Sequence, residues 1–197
     1  MTAALQAKGI GSMAQPPRDA KAIGADAHHG RARLPIDCGD FEIRIGVDGT
    51  WYYRESPIGR KPLVRLFASV LSRDENGVYW LATPVERGRI HVDDAPFTAV
   101  EVTAAGAGRD QILTFRTNLD EEVELAVDHP IRVAIDPVSG QPRPYILVKD
   151  RLEARILRSV YYHLVELGGE ERIGDKPMFG IWSKNTFWPL GSLDAPS

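Results

Sequence analysis

The sequence of 197 residues contains a single cysteine, Cys38. An intramolecular disulfide needs two cysteines, and the cysteine-based zinc and redox motifs need at least as many. Both are therefore excluded as sources of stability or chemistry. A chain without disulfides is typical of the reducing interior of a cell.

The chain also lacks a positive charge excess and a long apolar run. With 24 lysine and arginine residues against 27 acidic residues, its net charge is −3. Proteins that bind nucleic acid usually carry a clear positive excess, which displaces counterions from the phosphates. No apolar stretch approaches the roughly 18–20 residues that cross a bilayer, and residues 1–15 lack the apolar core of a secretory signal. We therefore expect a cytoplasmic protein with neither nucleic acid nor membrane as a partner.

The signatures of common catalytic and cofactor sites are missing as well. The sequence has no Gly-x-Ser-x-Gly nucleophile elbow, no Gly-x-Gly-x-x-Gly fingerprint and no phosphate-binding P-loop. We expect no cofactor and no catalytic triad. His91, Asp93 and Asp94 are a weak metal-binding candidate, because alternate residues of a strand share a face. Three convergent ligands would be needed, so an exposed strand end is the simpler interpretation and we predict no metal.

Composition and periodicity divide the chain into three segments. Residues 1–33 are rich in Ala, Gly, Pro, Arg and Asp without periodicity, which predicts a disordered N-terminal tail. Residues 34–84 predict a first α+β unit. Residues 85–197 predict a second, β-rich unit that ends in a helix and a hairpin. Between the two helices the alternation of apolar and polar residues predicts an antiparallel β-meander. The fold class we predict is α+β.

The first and last thirds of the chain repeat one order of elements: strand, turn, strand, helix, strand. Trp80 and Trp182 fall in equivalent strands of the two repeats. We interpret this pattern as an internal duplication.

Local signals define the first repeat. Asp48-Gly49 predicts a two-residue hairpin turn, and Pro62 is typical of the first turn of a helix. The apolar stripe that we predict for this helix consists of Leu63, Leu66, Phe67, Val70 and Leu71.

The second repeat carries parallel signals. Asp150 and Glu153 have the spacing of a helix N-cap pair, and Lys184-Asn185 would turn the final hairpin. Gly168-Gly169 would end the helix. In that helix one face would be apolar and another would carry three arginines: Leu152, Ile156, Val160 and Leu164 on the first, and Arg151, Arg155 and Arg158 on the second.

Several basic and aromatic residues are candidates for ligand binding. Arg60 and Lys61 flank the predicted first helix, whose N-terminus offers free N–H groups to an anion. In Glu86-Arg87-Gly88-Arg89, the glycine would let a ligand approach the backbone closely. Lys176 lies in a Gly- and Pro-rich turn, and Trp80 and Trp182 could stack on a base. The alternative is that the basic residues are solvated and the aromatic residues belong to the core.

Four segments carry a resemblance to a known family: SPIGRKPLVRLF (56–67), YWLATPVERGRI (79–90), DDAPF (93–97) and GDKPMFGIWS (174–183). With these segments, the chain resembles the bacterial domain-of-unknown-function family 1285 from about Leu34 to Gly191. The resemblance implies a duplicated α+β core whose second half is loosely like a pleckstrin-homology fold. It also implies a pocket between the halves for a nucleotide-like ligand and a part in signal transduction.

The function we predict is a non-enzymatic sensor that binds a nucleotide-like or other phosphorylated small molecule where the two repeated units meet. Its predicted ligand-binding residues are Arg60, Lys61, Trp80, Arg87, Arg89, Lys176 and Trp182. One alternative is an adaptor that pairs a protein partner with an exposed strand edge. A second alternative is a phosphoester-processing enzyme that uses Glu86, Asp93 and Asp94.

Overall fold

The computed structural model describes residues 35–194, so the predicted disordered tail lies outside the described residues. This part of the chain is mostly β, with two α-helices. Neither helix is long and apolar enough to cross a membrane.

The first half forms one six-stranded sheet with a helix beside it. Its strands run in the order β3-β2-β1-β6-β5-β4. Neighbouring strands are antiparallel except for the parallel pair β1 and β6, whose pairing contains two register shifts. Such bulges bend a sheet. The elements are β1 (Ile36–Ile45), β2 (Trp51–Tyr53), β3 (Ser56–Pro57), α1 (Lys61–Ser69), β4 (Leu71–Arg73), β5 (Tyr79–Ala82) and β6 (Glu86–Val92).

The second half contains a larger and a smaller sheet. The larger has the order β10-β11-β12-β7-β8-β9, and β13, β14 and β15 form the smaller. Only β7 and β12 pair in parallel among these strands. The elements are β7 (Phe97–Ala105), β8 (Ile112–Thr117), β9 (Glu122–Glu124), β10 (Ile131–Ile135), β11 (Pro142–Lys149), β12 (Leu152–Ile156), α2 (Arg158–Leu167), β13 (Gly169–Ile173), β14 (Lys176–Ser183) and β15 (Thr186–Ser192).

The predicted two-part, duplicated architecture is confirmed. Three meandering strands, a helix and three more meandering strands occur twice, first as β1–β3, α1 and β4–β6 and then as β10–β12, α2 and β13–β15. Trp80 lies in β5 and Trp182 in β14, which are equivalent positions. The meander β7–β9 separates the two copies and continues the sheet of β10–β12. The likeness of the second half to a pleckstrin-homology fold stays a prediction.

Two helix predictions need correction. Residues 152–156 are not the start of a helix but form β12, which pairs with β11 on one side and β7 on the other. Leu152, Ala154 and Ile156 are buried in the alternating pattern of a strand. Asp150 therefore caps no helix, and α2 begins at Arg158.

The predicted apolar stripe of α1 is also wrong in part. Leu66 is 61% exposed, whereas Val64 and Ala68 face the core. Strand β6, which we placed in the second unit, pairs with β1 and β5 in the first sheet.

The two predicted hairpin turns have different outcomes. Lys184 and Asn185 both have positive φ angles between β14 and β15, as a two-residue type I′ turn requires. At the other turn only Gly49 has a positive φ angle, and the amide of Gly46 donates to the carbonyl of Thr50. The connection from β1 to β2 is therefore longer than the predicted two-residue turn.

Candidate functional site

The candidate site is a cleft in the second half of the molecule, which we call the arginine cleft. Arg143 from β11, Arg155 from β12 and Arg158 from α2 line it, and its volume is about 430 Å³. Ligand pockets in proteins generally measure about 300–1,000 Å³. The remaining lining residues are Asp136, Ser139, Gln141, Pro142, Pro144, Ile156, Tyr161 and Tyr162.

A tightly bonded loop between β10 and β11 forms one wall of the arginine cleft. The buried carboxylate of Asp136 accepts hydrogen bonds from the backbone N–H groups of Val138 (2.9 Å) and Ser139 (2.7 Å). It also forms an ion pair with Arg143. The two backbone donors, and then the Arg143 charge, lower the pKa of Asp136 below its ordinary value. The carboxylate thus stays ionised and fixes both the loop and the Arg143 side chain.

The other two arginines differ in their partners. Arg155 lies 3.3 Å from the carboxylate of Asp94, which also accepts a 2.7 Å hydrogen bond from the hydroxyl of Tyr145. Burial and this bond to Asp94 raise the pKa of Tyr145. Arg158 donates to the amide oxygen of Gln141 at 3.1 Å and has no carboxylate partner within residues 35–194. It is therefore the guanidinium in the cleft with the most capacity left for an added anion.

Helix α2 begins beside the cleft and contributes two aromatic rings to its lining. Leu157 precedes the helix and no side chain caps it, so the first N–H groups lack an intrahelical or side-chain acceptor. Tyr161 is half-buried, and burial raises the pKa of its hydroxyl. Tyr162 is 56% exposed, with the Arg158 guanidinium 5.9 Å from its ring centre. Guanidinium, amide and phenol groups together suit a ligand that carries both an anionic group and a flat ring.

The sequence-predicted residues lie elsewhere, in separate places. Trp80, Arg87 and Arg89 come together on the exposed face of the first sheet, where the Arg87 guanidinium lies 4.4 Å from the Trp80 ring centre. The Trp80 indole N–H donates to Asp74 at 2.9 Å. Arg87 and Arg89 pair with carboxylates of β1, at 3.6 and 3.4 Å. A base could stack on this face of Trp80 only by displacing Arg87.

The remaining predicted residues do not join that group. The Trp182 ring in the small sheet is covered by Arg109, whose guanidinium lies 4.4 Å from the ring centre. Lys61 forms a 2.7 Å ion pair with Asp120. Arg60 precedes α1 and Lys176 begins β14, and both are exposed. The ligand-binding role of these seven residues stays a prediction.

The acidic candidates are also separated. Glu86 begins β6 and Asp93 directly follows it, about 23 Å away at the rise of a strand. Asp93 pairs with Arg44 at 2.7 Å and with His91 at 3.2 Å, while Asp94 turns to Tyr145 and Arg155. Within residues 35–194, no group of three or more His, Cys, Asp and Glu side chains is arranged to hold a metal ion.

Gly88 has a structural partner rather than a free approach to its backbone. A Cβ atom on Gly88 would overlap the ring of Phe41. The glycine therefore lets that ring lie against β6, and the predicted ligand approach at this point is wrong.

A second polar cleft lies where the two halves meet, but none of the seven predicted ligand-binding residues lines it. Its volume is about 520 Å³. Three arginines and four carboxylates line it: Arg73, Arg132 and Arg151, with Asp74, Glu75, Asp150 and Glu153. Arg151 pairs with Glu75 and Arg132 with Glu153. We call it the seam cleft.

Sequence reasoning missed the arginine cleft because it assigned Arg151, Arg155 and Arg158 to one helix face. Arg155 lies in β12 and Arg158 in α2, and the turn between these elements is what brings the two together with Arg143. The alternation of buried residues from Leu152 to Ile156 was the signal that could have corrected the assignment.

Comparisons with known proteins identify the family. Residues 33–95 match the model of the DUF1285 N-terminal domain, a domain of unknown function, and residues 96–190 match the DUF1285 C-terminal domain, from a protein of unknown function. No curated protein matches the chain.

Two solved structures are similar to this chain. A DUF1285 family protein from Silicibacter pomeroyi DSS-3 is 46% identical, with a TM-score of 0.75, over 81% of this chain and 85% of that one. A DUF1285 family protein from Shewanella baltica OS155 is 25% identical, with a TM-score of 0.51, over 63% of this chain and 90% of that one. The chain belongs to the DUF1285 family.

Proposed function

We propose that this protein is a non-enzymatic regulatory module that binds a small phosphate-bearing molecule of the nucleotide type in the arginine cleft. The observation that carries the proposal is the convergence of Arg143, Arg155 and Arg158 from three elements on one concave site. Arginine presents a planar fork of donors that matches the oxygens of a phosphate.

Charge favours the arginine cleft over the seam cleft. Three arginines and one carboxylate line the arginine cleft, whereas three arginines and four carboxylates line the seam cleft. Phosphate groups would therefore meet net repulsion at the seam. Asp136 in the arginine cleft pairs with Arg143, Asp94 outside the lining pairs with Arg155, and Arg158 remains available. Its charge-assisted bonds would supply the largest single contribution to phosphate binding.

The aromatic residues extend the proposal from an anion to a nucleotide. Tyr162 is exposed at the rim and Tyr161 is half-buried in the wall. A planar base can stack on a tyrosine ring while its phosphates lie against the guanidinium groups. Inorganic phosphate has no ring, so we expect it to bind more weakly than a nucleoside phosphate does.

Thermal unfolding in the presence of ligands tests the proposal. A ligand at 100 times its Kd stabilises the folded state by about 2.7 kcal/mol, which raises Tm by about 5–10 °C for a domain of this size. We expect ATP, GTP and their monophosphates to raise Tm, and uncharged nucleosides to have little effect. In the variant Arg158→Gln, a lost charge-assisted hydrogen bond should weaken binding about tenfold or more.

Arg151→Gln is the matched control. Arg151 is exposed like Arg158, but it pairs with Glu75 at the seam. This variant should bind nucleotides as the wild type does. The proposal would be contradicted if no nucleotide or phosphate raised Tm, or if Arg158→Gln bound as tightly as Arg151→Gln.

A further inference from the structure

A different cavity lies between the first sheet and α1, and we call it the apolar pocket. Its volume is about 550 Å³, within the range of small-molecule sites. Seven apolar side chains line it, together with Tyr53, Thr83 and Glu86: Phe41, Ile43, Ile58, Leu63, Phe67, Val70 and Leu81. None of its lining residues belongs to the arginine cleft.

Most side chains around the apolar pocket are only partly covered by the rest of the protein. Helix α1 turns Val64 and Ala68 to the core, while Leu63 and Phe67 face the pocket. These side chains are only partly buried, as is Phe41 on the opposite side. Apolar surface left in contact with water favours any ligand that covers it.

Polar groups are few at the apolar pocket, and one of them is charged. The Thr83 hydroxyl already has protein partners. It donates to the carbonyl of Glu86 and accepts from the backbone N–H groups of Val85 and Glu86. The Glu86 carboxylate is exposed and forms no ion pair within residues 35–194. Its neighbour is the thiol of Cys38, at 3.8 Å. The rim of this apolar site therefore carries an uncompensated negative charge.

We propose that the apolar pocket binds a small amphiphilic amine, with its hydrocarbon body against the seven apolar side chains and its ammonium group at Glu86. A cationic head group gains from the unpaired carboxylate, whereas a carboxylate head group is repelled by it. The protein would then bind two ligands of different chemistry at two sites. An anionic ligand would occupy the arginine cleft in the second half, and a cationic ligand would occupy the apolar pocket in the first half.

Three compounds with the same chain length separate the contributions of body and head group. Decylammonium and decanoate are titrated below their micellar concentrations and decanol below its solubility limit, with Kd measured by calorimetry and by NMR shifts of pocket residues. Decylammonium should bind most tightly and decanoate most weakly. In Glu86→Gln the advantage of decylammonium over decanol should disappear, a loss of about two- to fivefold for an exposed ion pair.

Two further variants fix the place of binding. Val70→Trp fills the pocket and should abolish binding of all three compounds, while nucleotide binding at the arginine cleft should be unchanged. Glu122→Gln alters an exposed carboxylate on β9 and should keep the wild-type order of affinities.

Because Glu86→Gln changes only an exposed side chain, it tests the proposal even if Val70→Trp does not fold. Failure of all three compounds to bind, tighter binding of decanoate, or an unchanged preference in Glu86→Gln would overturn the proposal.

Discussion

At the scale of single residues, Gly180 in β14 is the position where a side chain is most clearly excluded. A Cβ atom there would overlap the backbone carbonyl oxygen of Trp188 and crowd the ring of Phe187. Backbone cannot move aside as a flexible side chain can. We expect Gly180→Ala to lower the free energy of unfolding by about 1–3 kcal/mol or more, measured by urea denaturation.

Gly191→Ala is the control for that substitution. Gly191 lies in the adjacent strand β15, and nothing lies within 4 Å of the position its Cβ atom would take. Its replacement should change the free energy of unfolding by less than about 0.5 kcal/mol. Equal effects of the two substitutions would mean that the close approach of the Trp188 carbonyl does not exclude a side chain at Gly180.

Single residues also show why the candidate site was hard to predict from sequence. We predicted that Gly88 leaves room for a ligand beside the backbone. That space is occupied by the ring of Phe41, 47 positions earlier in the chain. Arg109 covers Trp182 in the same way. Both contacts join residues that are distant in sequence, and no local pattern specifies them.

At the scale of elements, Asp120 attaches α1 to the turn between β8 and β9. It forms ion pairs with Lys61 and Arg65 of the helix and with Arg116 of β8. The hydrogen bond from Lys61, with the charges of the two arginines, lowers the pKa of Asp120 below its ordinary value of 3.8. The folded state therefore favours the ionised form of the Asp120 carboxyl group more than the unfolded state does.

The sign of this shift predicts a pH-dependent effect for Asp120→Asn. Because the folded-state pKa is the lower one, the carboxylate stabilises the fold above the unfolded-state pKa, and this contribution is lost as pH falls through the folded-state value. Asparagine tolerates the positive φ angle of this position, 62°. Wild type should exceed Asp120→Asn in free energy of unfolding at pH 7, and the difference should shrink progressively as pH falls below about 4.

Urea denaturation at a series of pH values measures that difference. Asp110→Asn, an exposed aspartate with no ion pair within residues 35–194, is the control and should match the wild type throughout. A difference between wild type and Asp120→Asn that is as large at pH 3 as at pH 7 would show that the carboxylate charge is not its cause.

Elements were predictable from sequence where local chemistry decides them. The turn at Lys184-Asn185 needs two residues that tolerate positive φ angles, and Pro62 marks a helix start, so both were found. Strand β12 was missed because Asp150 and Glu153 have helix-cap spacing. Its strand conformation is decided by pairing with β7, whose paired residues lie 57 positions earlier in the chain. Because residues 152–156 were assigned to a helix, the arginine cleft was not predicted either.

At the scale of the whole molecule, the two halves share one hydrophobic core. The family models divide the chain after residue 95, yet the buried apolar residues on both sides of that point form a single cluster. Hydrogen bonds cross the division too. Arg65 donates to the carbonyl of Leu119 at 2.8 Å, and Lys149 donates to that of Ala68 at 3.1 Å. A continuous core and bonds between the halves should make unfolding a single cooperative event.

Asn118 offers the sharpest test of that cooperativity. Its side-chain amide donates to the carbonyl of Gly49 in the first half, and its oxygen accepts from the backbone N–H of Thr98 in the second, both at 3.1 Å. Asn118→Ala would leave both partners unpaired, which costs about 1–3 kcal/mol for each buried group. Hydrogen exchange measured by mass spectrometry should then show equal losses of protection in β1 and β8, because one transition exposes both. The exposed Asn76→Ala should change neither strand. Loss of protection confined to one half would mean that the two halves unfold independently.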